Sequence, residues 1–113
     1  MKISSNFDSG NIKVIEATDP LNIQLEINKD HQSEFYQWFH FRLETTPYQL
    51  HKLNINELDK SAYPDGWEGY QAVASYDRQT WFRVPSSYEN GTLSFEIEPE
   101  CGSVYFAYFA PYS

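Results

Sequence analysis

Cysteine is nearly absent. Cys101 is the only one in 113 residues, so no disulfide can form within the chain, and a reducing compartment, the cytoplasm, is expected. Basic residues are scarce as well, 8 Lys and Arg against 16 Asp and Glu, for a formal net charge of -8. Nucleic acid and anionic membranes both require a cationic footprint, so neither is expected as a partner. No apolar run approaches the length of a membrane span. The opening residues Met1-Lys2-Ile3-Ser4-Ser5-Asn6 lack the apolar stretch and small-residue cleavage site of a secretory signal. Glycine is sparse, and only Gly66 and Gly69 stand close together with no helix to follow, which excludes a phosphate-cradling loop.

What abounds is apolar and aromatic, at 41% and 18% of the residues. That supply is enough to bury a core without staples, and the length suits one domain. The clearest strand is residues 21–27, where Leu21, Ile23, Leu25 and Ile27 alternate with Asn22, Gln24 and Glu26. Half-buried runs of the same kind predict strands at 12–17, 36–44, 48–53, 70–76, 80–84 and 92–98, and a further strand is expected at 103–109. Turn chemistry separates them: Asp8-Ser9-Gly10-Asn11, Asp19-Pro20, Thr46-Pro47, Pro64-Asp65-Gly66, Pro85-Ser86-Ser87 and Asn90-Gly91. Asn90-Gly91 suits a two-residue hairpin, and the strand after it is expected to pair with the chain before Ser87. Residues 54–62 suggest a short helical turn. The fold class is all-β, an antiparallel sandwich of about 8–9 strands in a single domain.

The last strand has apolar residues in both registers, with Val104, Phe106 and Tyr108 on one face and Tyr105, Ala107 and Phe109 on the other. The first set is expected to fill the core. The second needs cover of another kind.

Catalytic chemistry finds little support in the residues. The histidines, His31, His40 and His51, form no His-x-x-Glu or His-x-His pair, and no Cys-x-x-Cys exists, so no metal site is expected on this chain. His40, which shares a strand face with Trp38 and Arg42, reads as structural. Cys101 follows Pro99-Glu100, an acidic setting rather than the electropositive one a thiol nucleophile needs. No Gly-x-Ser-x-Gly elbow occurs, and Glu57 and Asp59 read as a solvated acidic loop. In "YPDGWEGY", residues 63–70, the rings of Tyr63, Trp67 and Tyr70 are either caps on the core edge or stacking platforms for a carbohydrate or peptide. "SYDRQTW", residues 75–81, resembles an Asp-box turn without its glycine and one residue short. Asp77 is expected to organise a hairpin there, with Trp81 and Phe82 on opposite strand faces.

Four segments together resemble one family: "FDSGN" (residues 7–11), "QWFHF" (37–41), "SYDRQTWFR" (75–83) and "YFAYFAPYS" (105–113). In this combination and order they are similar to the N-terminal domain of cytosolic-carboxypeptidase-like zinc metallocarboxypeptidases, in the compact form of its bacterial members. The resemblance implies an antiparallel β-sandwich, residues 1–113, placed before an α/β catalytic domain. That catalytic domain would hold zinc through a His-x-x-Glu motif and a distant His, with a glutamate as general base. Neither a cofactor nor a catalytic role passes to any residue here. By resemblance, the interdomain or structural residues are Phe7, Gly10, Asn11, Trp38, Phe39, Arg83, Tyr105, Phe109, Pro111 and Tyr112. Gly10 would supply a conformation other residues resist, and Arg83 would either face the catalytic partner or tie the sandwich together. The implied partners are the catalytic domain of the same polypeptide and, for the parent, a peptide or protein substrate. The competing readings are a free-standing carbohydrate- or peptide-binding module built on Tyr63, Trp67 and Tyr70, and a scaffold that adds a strand to a partner.

Overall fold

The computed structural model describes residues 1–7, 9–28, 38–61 and 64–111. Those residues form ten strands: β1 (Lys2–Ser4), β2 (Lys13–Glu16), β3 (Ile23–Glu26), β4 (His40–Glu44), β5 (His51–Asn56), β6 (Ala72–Ser75), β7 (Phe82–Val84), β8 (Ser86–Glu89), β9 (Thr92–Ile97) and β10 (Ser103–Ala107). They assemble into two five-stranded sheets, β1-β4-β10-β6-β7 and β2-β3-β5-β9-β8. The apolar inner faces meet between the sheets, where the rings of Phe95 on β9 and Phe106 on β10 lie 5.2 Å apart. This is the β-sandwich that the alternating runs predict.

Every ladder is antiparallel except one. β3 and β5 run parallel, with Ile23 opposite Leu53 and Leu25 opposite Ile55. The chain leaves β3, crosses to the other sheet as β4 and returns as β5, so a parallel neighbour arises without any long connection within one sheet. A pattern of alternating residues carries no information on strand direction, hence the antiparallel expectation.

Two strands lie where no apolar alternation announced them. β1 has only Ile3 to bury and is held by its ladder to β4. β8 begins inside the expected Pro85-Ser86-Ser87 turn and pairs with β9 from Ser86 opposite Phe95 to Glu89 opposite Thr92. The hairpin at Asn90-Gly91 is real, with φ of 53° and 81° as its turn requires, but its partner strand is residues 86–89 rather than the chain before Ser87. A two-residue turn can only join the residues beside it.

β5 starts three residues later than expected. Tyr48 is 74% exposed, and the buried set is His51, Leu53 and Ile55, joined on the opposite face by Asn54. β2 is an edge strand with all four residues exposed, where a half-buried run was expected. Its charged Lys13 and Glu16 and the bulge between Val14 and Glu16 suit an edge that must not recruit another chain. After β5 comes a short 3-10 turn, Leu58–Lys60, that buries Leu58, and a second, Pro64–Trp67, that buries Trp67.

β10 is a central strand, paired on one side to β4 and on the other to β6. Val104 and Phe106 are fully buried in the core, as expected, and each such side chain contributes roughly 1.5–3 kcal/mol over an exposed one. Tyr108 lies past the strand end, half-buried against Phe39 and Trp67. On the outer face Ala107 is buried, Tyr105 is half-buried, and Phe109 beyond the strand end stays 53% exposed.

Candidate functional site

The chain between β1 and β2 folds over the outer face of the first sheet. Phe7 N donates to Ser5 O at 2.9 Å and Gly10 N to Phe7 O at 3.0 Å, closing a tight double turn. Ser9, not Gly10, takes the left-handed backbone, with φ of 62°. Gly10 is needed for space: a Cβ there would stand 2.1 Å from the carbonyl oxygen of Ser5. Gly10→Ala should therefore destabilise the domain by about 1–3 kcal/mol, read as a lower urea midpoint. An unchanged midpoint would mean that the turn opens freely. Asp8 and Tyr63 lie outside the described residues, as do His31, the start of the expected 36–44 strand and Tyr112.

Asn11 welds this turn to β4. Its backbone exchanges two hydrogen bonds with His40, at 2.7 and 3.1 Å, and its side-chain Nδ2 donates to Trp38 O at 2.9 Å. Trp38 Nε1 in turn donates to Ser9 O at 2.7 Å. The turn places Phe7 edge-on to His40 at 4.9 Å and to Tyr105 at 5.6 Å. Trp38 lies 4.9 Å from Phe109.

His40 is fully buried beneath these rings, with Trp81 at 5.9 Å on a further side. Ser9 Oγ lies 3.1 Å from its Nδ1, while Nε2 is buried with no hydrogen-bond partner among the described residues. Burial, assisted by the nearby Arg78 charge, pushes the imidazole down to about 4. His40 is therefore neutral at physiological pH.

Arg78 is aimed by the turn before β7. Asp77 Oδ1 accepts from the backbone of Gln79 and Thr80, both at 2.9 Å, and Ser75 Oγ accepts from Arg78 N at 2.7 Å. These bonds from Thr80, Gln79 and Ser75 hold the exposed Asp77 carboxyl below its ordinary range. Asp77 is thus the hairpin organiser that its motif suggests. Arg78 takes a left-handed φ of 66°, and its guanidinium sits 5.3 Å from the Phe7 ring centre and 5.1 Å from that of Tyr105. Arg42 approaches Tyr105 from β4 at 5.8 Å and pairs with Glu44 at 2.8 Å.

A shallow groove of about 520 Å³ continues from this cluster, lined by Tyr70, Val73, Trp81, Arg83, Tyr108 and Phe109, among others. Arg83 is exposed on β7, opposite Val73. Tyr70 Oη donates to Tyr108 O, and burial together with Tyr108 pushes its phenol far up. Phe82 packs on Tyr76 at 5.6 Å and lines the same groove as Trp81. Pro111 is half-buried.

Phe7, Gly10, Asn11, Trp38, Tyr105 and Phe109 are therefore gathered at one face, with Arg83 beside them. Phe39 is not among them, since it is fully buried in the core. Trp67 is also fully buried, stacked on Phe39 at 6.4 Å, with its Nε1 donating to Ser61 Oγ at 2.7 Å. A ring with no exposed face offers a ligand no platform, so Trp67 caps the core rather than stacking on a sugar. Residue reasoning missed Arg78 and the depth of His40. Arg78 stood inside a quoted segment, but only the fold brings that hairpin to Phe7.

Among the described residues, no group of three or more His, Cys, Asp or Glu could hold a metal ion. His51 is committed to Thr45 Oγ1 at 2.8 Å and Gln49 O at 2.7 Å, and Cys101 is an exposed free thiol. No helix of the described residues is long and apolar enough to cross a membrane.

Residues 3–109 match the family described as the cytosolic carboxypeptidase N-terminal domain. A solved metallo-carboxypeptidase from Pseudomonas aeruginosa, in complex with (2-guanidinoethylmercapto)succinic acid, shares 52% identity with a TM-score of 0.96 over the whole chain, which covers 30% of it. One from Burkholderia cenocepacia shares 44% with a TM-score of 0.95, over 99% of this chain and 29% of its own. An uncharacterised Zymomonas mobilis protein is 45% identical across all 113 residues, again 30% of its length. The chain thus spans under a third of the proteins it resembles, and with a family match that runs from the first strand to beyond the last, it belongs to the cytosolic carboxypeptidase N-terminal domain family.

Proposed function

We propose that this chain is the non-catalytic N-terminal domain of a cytoplasmic zinc metallocarboxypeptidase, and that it supports the folding of the catalytic part and packs beside it. The observation that carries the reading is the family match over residues 3–109, in a chain equivalent to 30% of a solved metallo-carboxypeptidase. A hydrolase needs a nucleophile or metal-bound water, a base and a stabiliser of the developing charge. On this reading the metal and the general base belong to the remaining part of the polypeptide. An unpaired, exposed Cys101 is compatible with a reducing cytoplasm. The parent would release C-terminal residues from peptides or proteins.

Of the described rings named for the binding-module reading, Trp67 is fully buried and Tyr70 half-buried, so neither is an exposed platform. The larger groove, about 1010 Å³ along β8 and β9, is lined by Lys52, Ser87, Glu89, Ser94 and Glu96 among others, and its one ring, Phe95, is buried. Sugar stacking needs an exposed ring face.

The folding role is tested by deleting residues 1–113 from the full polypeptide. Soluble, metal-loaded protein should fall at least several-fold, because a destabilisation of about 1–2 kcal/mol already changes abundance that much. Undiminished yield and metal content would contradict it.

A further inference from the structure

The two outer faces of the sandwich differ in a way that the core does not require. On the second sheet the outward-facing amides and hydroxyls satisfy one another: Asn54 Nδ2 donates to Ile23 O at 3.0 Å, Ser94 Oγ to Asn54 Oδ1 at 2.7 Å, Thr92 Oγ1 to Asn56 Oδ1 at 3.0 Å and Asn56 Nδ2 to Gln24 Oε1 at 2.7 Å. That face is finished. On the first sheet, by contrast, the buried His40 Nε2 and Arg42 Nε have no hydrogen-bond partner among the described residues, a cost that folded proteins rarely leave standing. The same face, with the turn beside it, carries all three arginines of a chain whose net charge is -8. Only Arg42 has a carboxylate partner; among the described residues Arg78 and Arg83 have none.

Around these cations stand Phe7, Trp38, Trp81, Tyr105 and Phe109, the last 53% exposed beside the 520 Å³ groove. Arginine and aromatic side chains clustered on one face make the composition of an interface core. Sixteen carboxylates are present in the chain, yet among the described residues none pairs with Arg78 or Arg83. A carboxylate supplied from outside complements them.

We propose that the outer face of the β1-β4-β10-β6-β7 sheet is the docking surface for the catalytic part of the same polypeptide, which presents carboxylate oxygens to Arg78 and Arg83 and an apolar side chain to the groove beside Phe109. This rests on the reading above that such a part accompanies the domain. The outer face of the second sheet remains in water.

The experiment uses the full polypeptide. Phenylglyoxal labelling followed by mass spectrometry should modify Arg83 about tenfold or more slowly than an unstructured peptide with the same flanking residues, as burial at an interface core requires. Lys52, on the other outer face, should acetylate at its own peptide's rate. Arg83→Glu should raise hydrogen exchange across residues 103–111 about tenfold, while Arg83→Lys raises it less and Lys52→Glu leaves it unchanged. Arg83 labelling at the peptide rate, with Arg83→Glu exchanging like Lys52→Glu, overturns this docking face even if the polypeptide is an active, chelator-sensitive carboxypeptidase. A polypeptide with no such activity overturns the functional reading, and the docking proposal with it.

Discussion

Trp67→Ala should lower the stability of the domain by about 3–5 kcal/mol, the range for emptying a large aromatic site in a core. The ring is fully buried, stacked on Phe39, edge-on to Tyr70 at 5.2 Å and beside Tyr108 at 5.2 Å. Its Nε1 donates to Ser61 Oγ, which itself donates to Leu58 O at 2.7 Å, so one ring ties the loop carrying both 3-10 turns to the core. Trp67→Phe retains most of the apolar volume but removes the donor, and should cost about 1–3 kcal/mol. Urea unfolding of the two variants measures the difference. A Trp67→Ala loss below about 1 kcal/mol would mean that the ring is a surface group after all, and would revive the stacking reading.

The second large effect is pH-dependent. His40 in the folded chain takes a proton only near pH 4, whereas an unfolded imidazole takes one near 6.5. Above pH 6.5 neither state is protonated there and the neutral ring packs without penalty. As pH falls from 6.5 toward 4 the unfolded state binds a proton that the folded state refuses, so stability falls. The loss is complete below the folded value. With about 1.4 kcal/mol per unit of displacement, this group removes on the order of 3 kcal/mol across that window. His40→Phe should flatten this part of the stability curve, and denaturant midpoints at pH 7, 5.5 and 4 would show it. Parallel curves for the two proteins would contradict a buried, neutral His40.

Much of the fold is legible in the residues, because alternation fixes which side chains face inward. Ile23, Leu25, Leu53, Phe95, Val104 and Phe106 are all in the core. What alternation cannot convey is the partner of a strand or its direction, so the parallel β3–β5 pair was invisible. Short strands held by their ladder rather than by burial, β1 and β8, were invisible for the same reason. Tyr48 and Leu50 look like the start of a strand, yet they are exposed and the strand begins at His51. The candidate face was half legible. Quoted segments contain Phe7, Trp38, Tyr105 and Phe109, but their convergence depends on Asn11 bonding to Trp38, 27 residues away, and on a hairpin aiming Arg78. Trp67 shows the converse: its Pro-, Asp- and Gly-rich segment allows either a core cap or a stacking platform, and packing on Phe39 decides for the core.

On the proposed function, catalysis lies outside these residues. That is tested most directly by assaying release of C-terminal residues from peptides, with and without a zinc chelator, for residues 1–113 and for the full polypeptide. No release by residues 1–113 and chelator-sensitive release by the full polypeptide are expected. Chelator-sensitive release by residues 1–113 alone, or none by the full polypeptide, would contradict the proposed function.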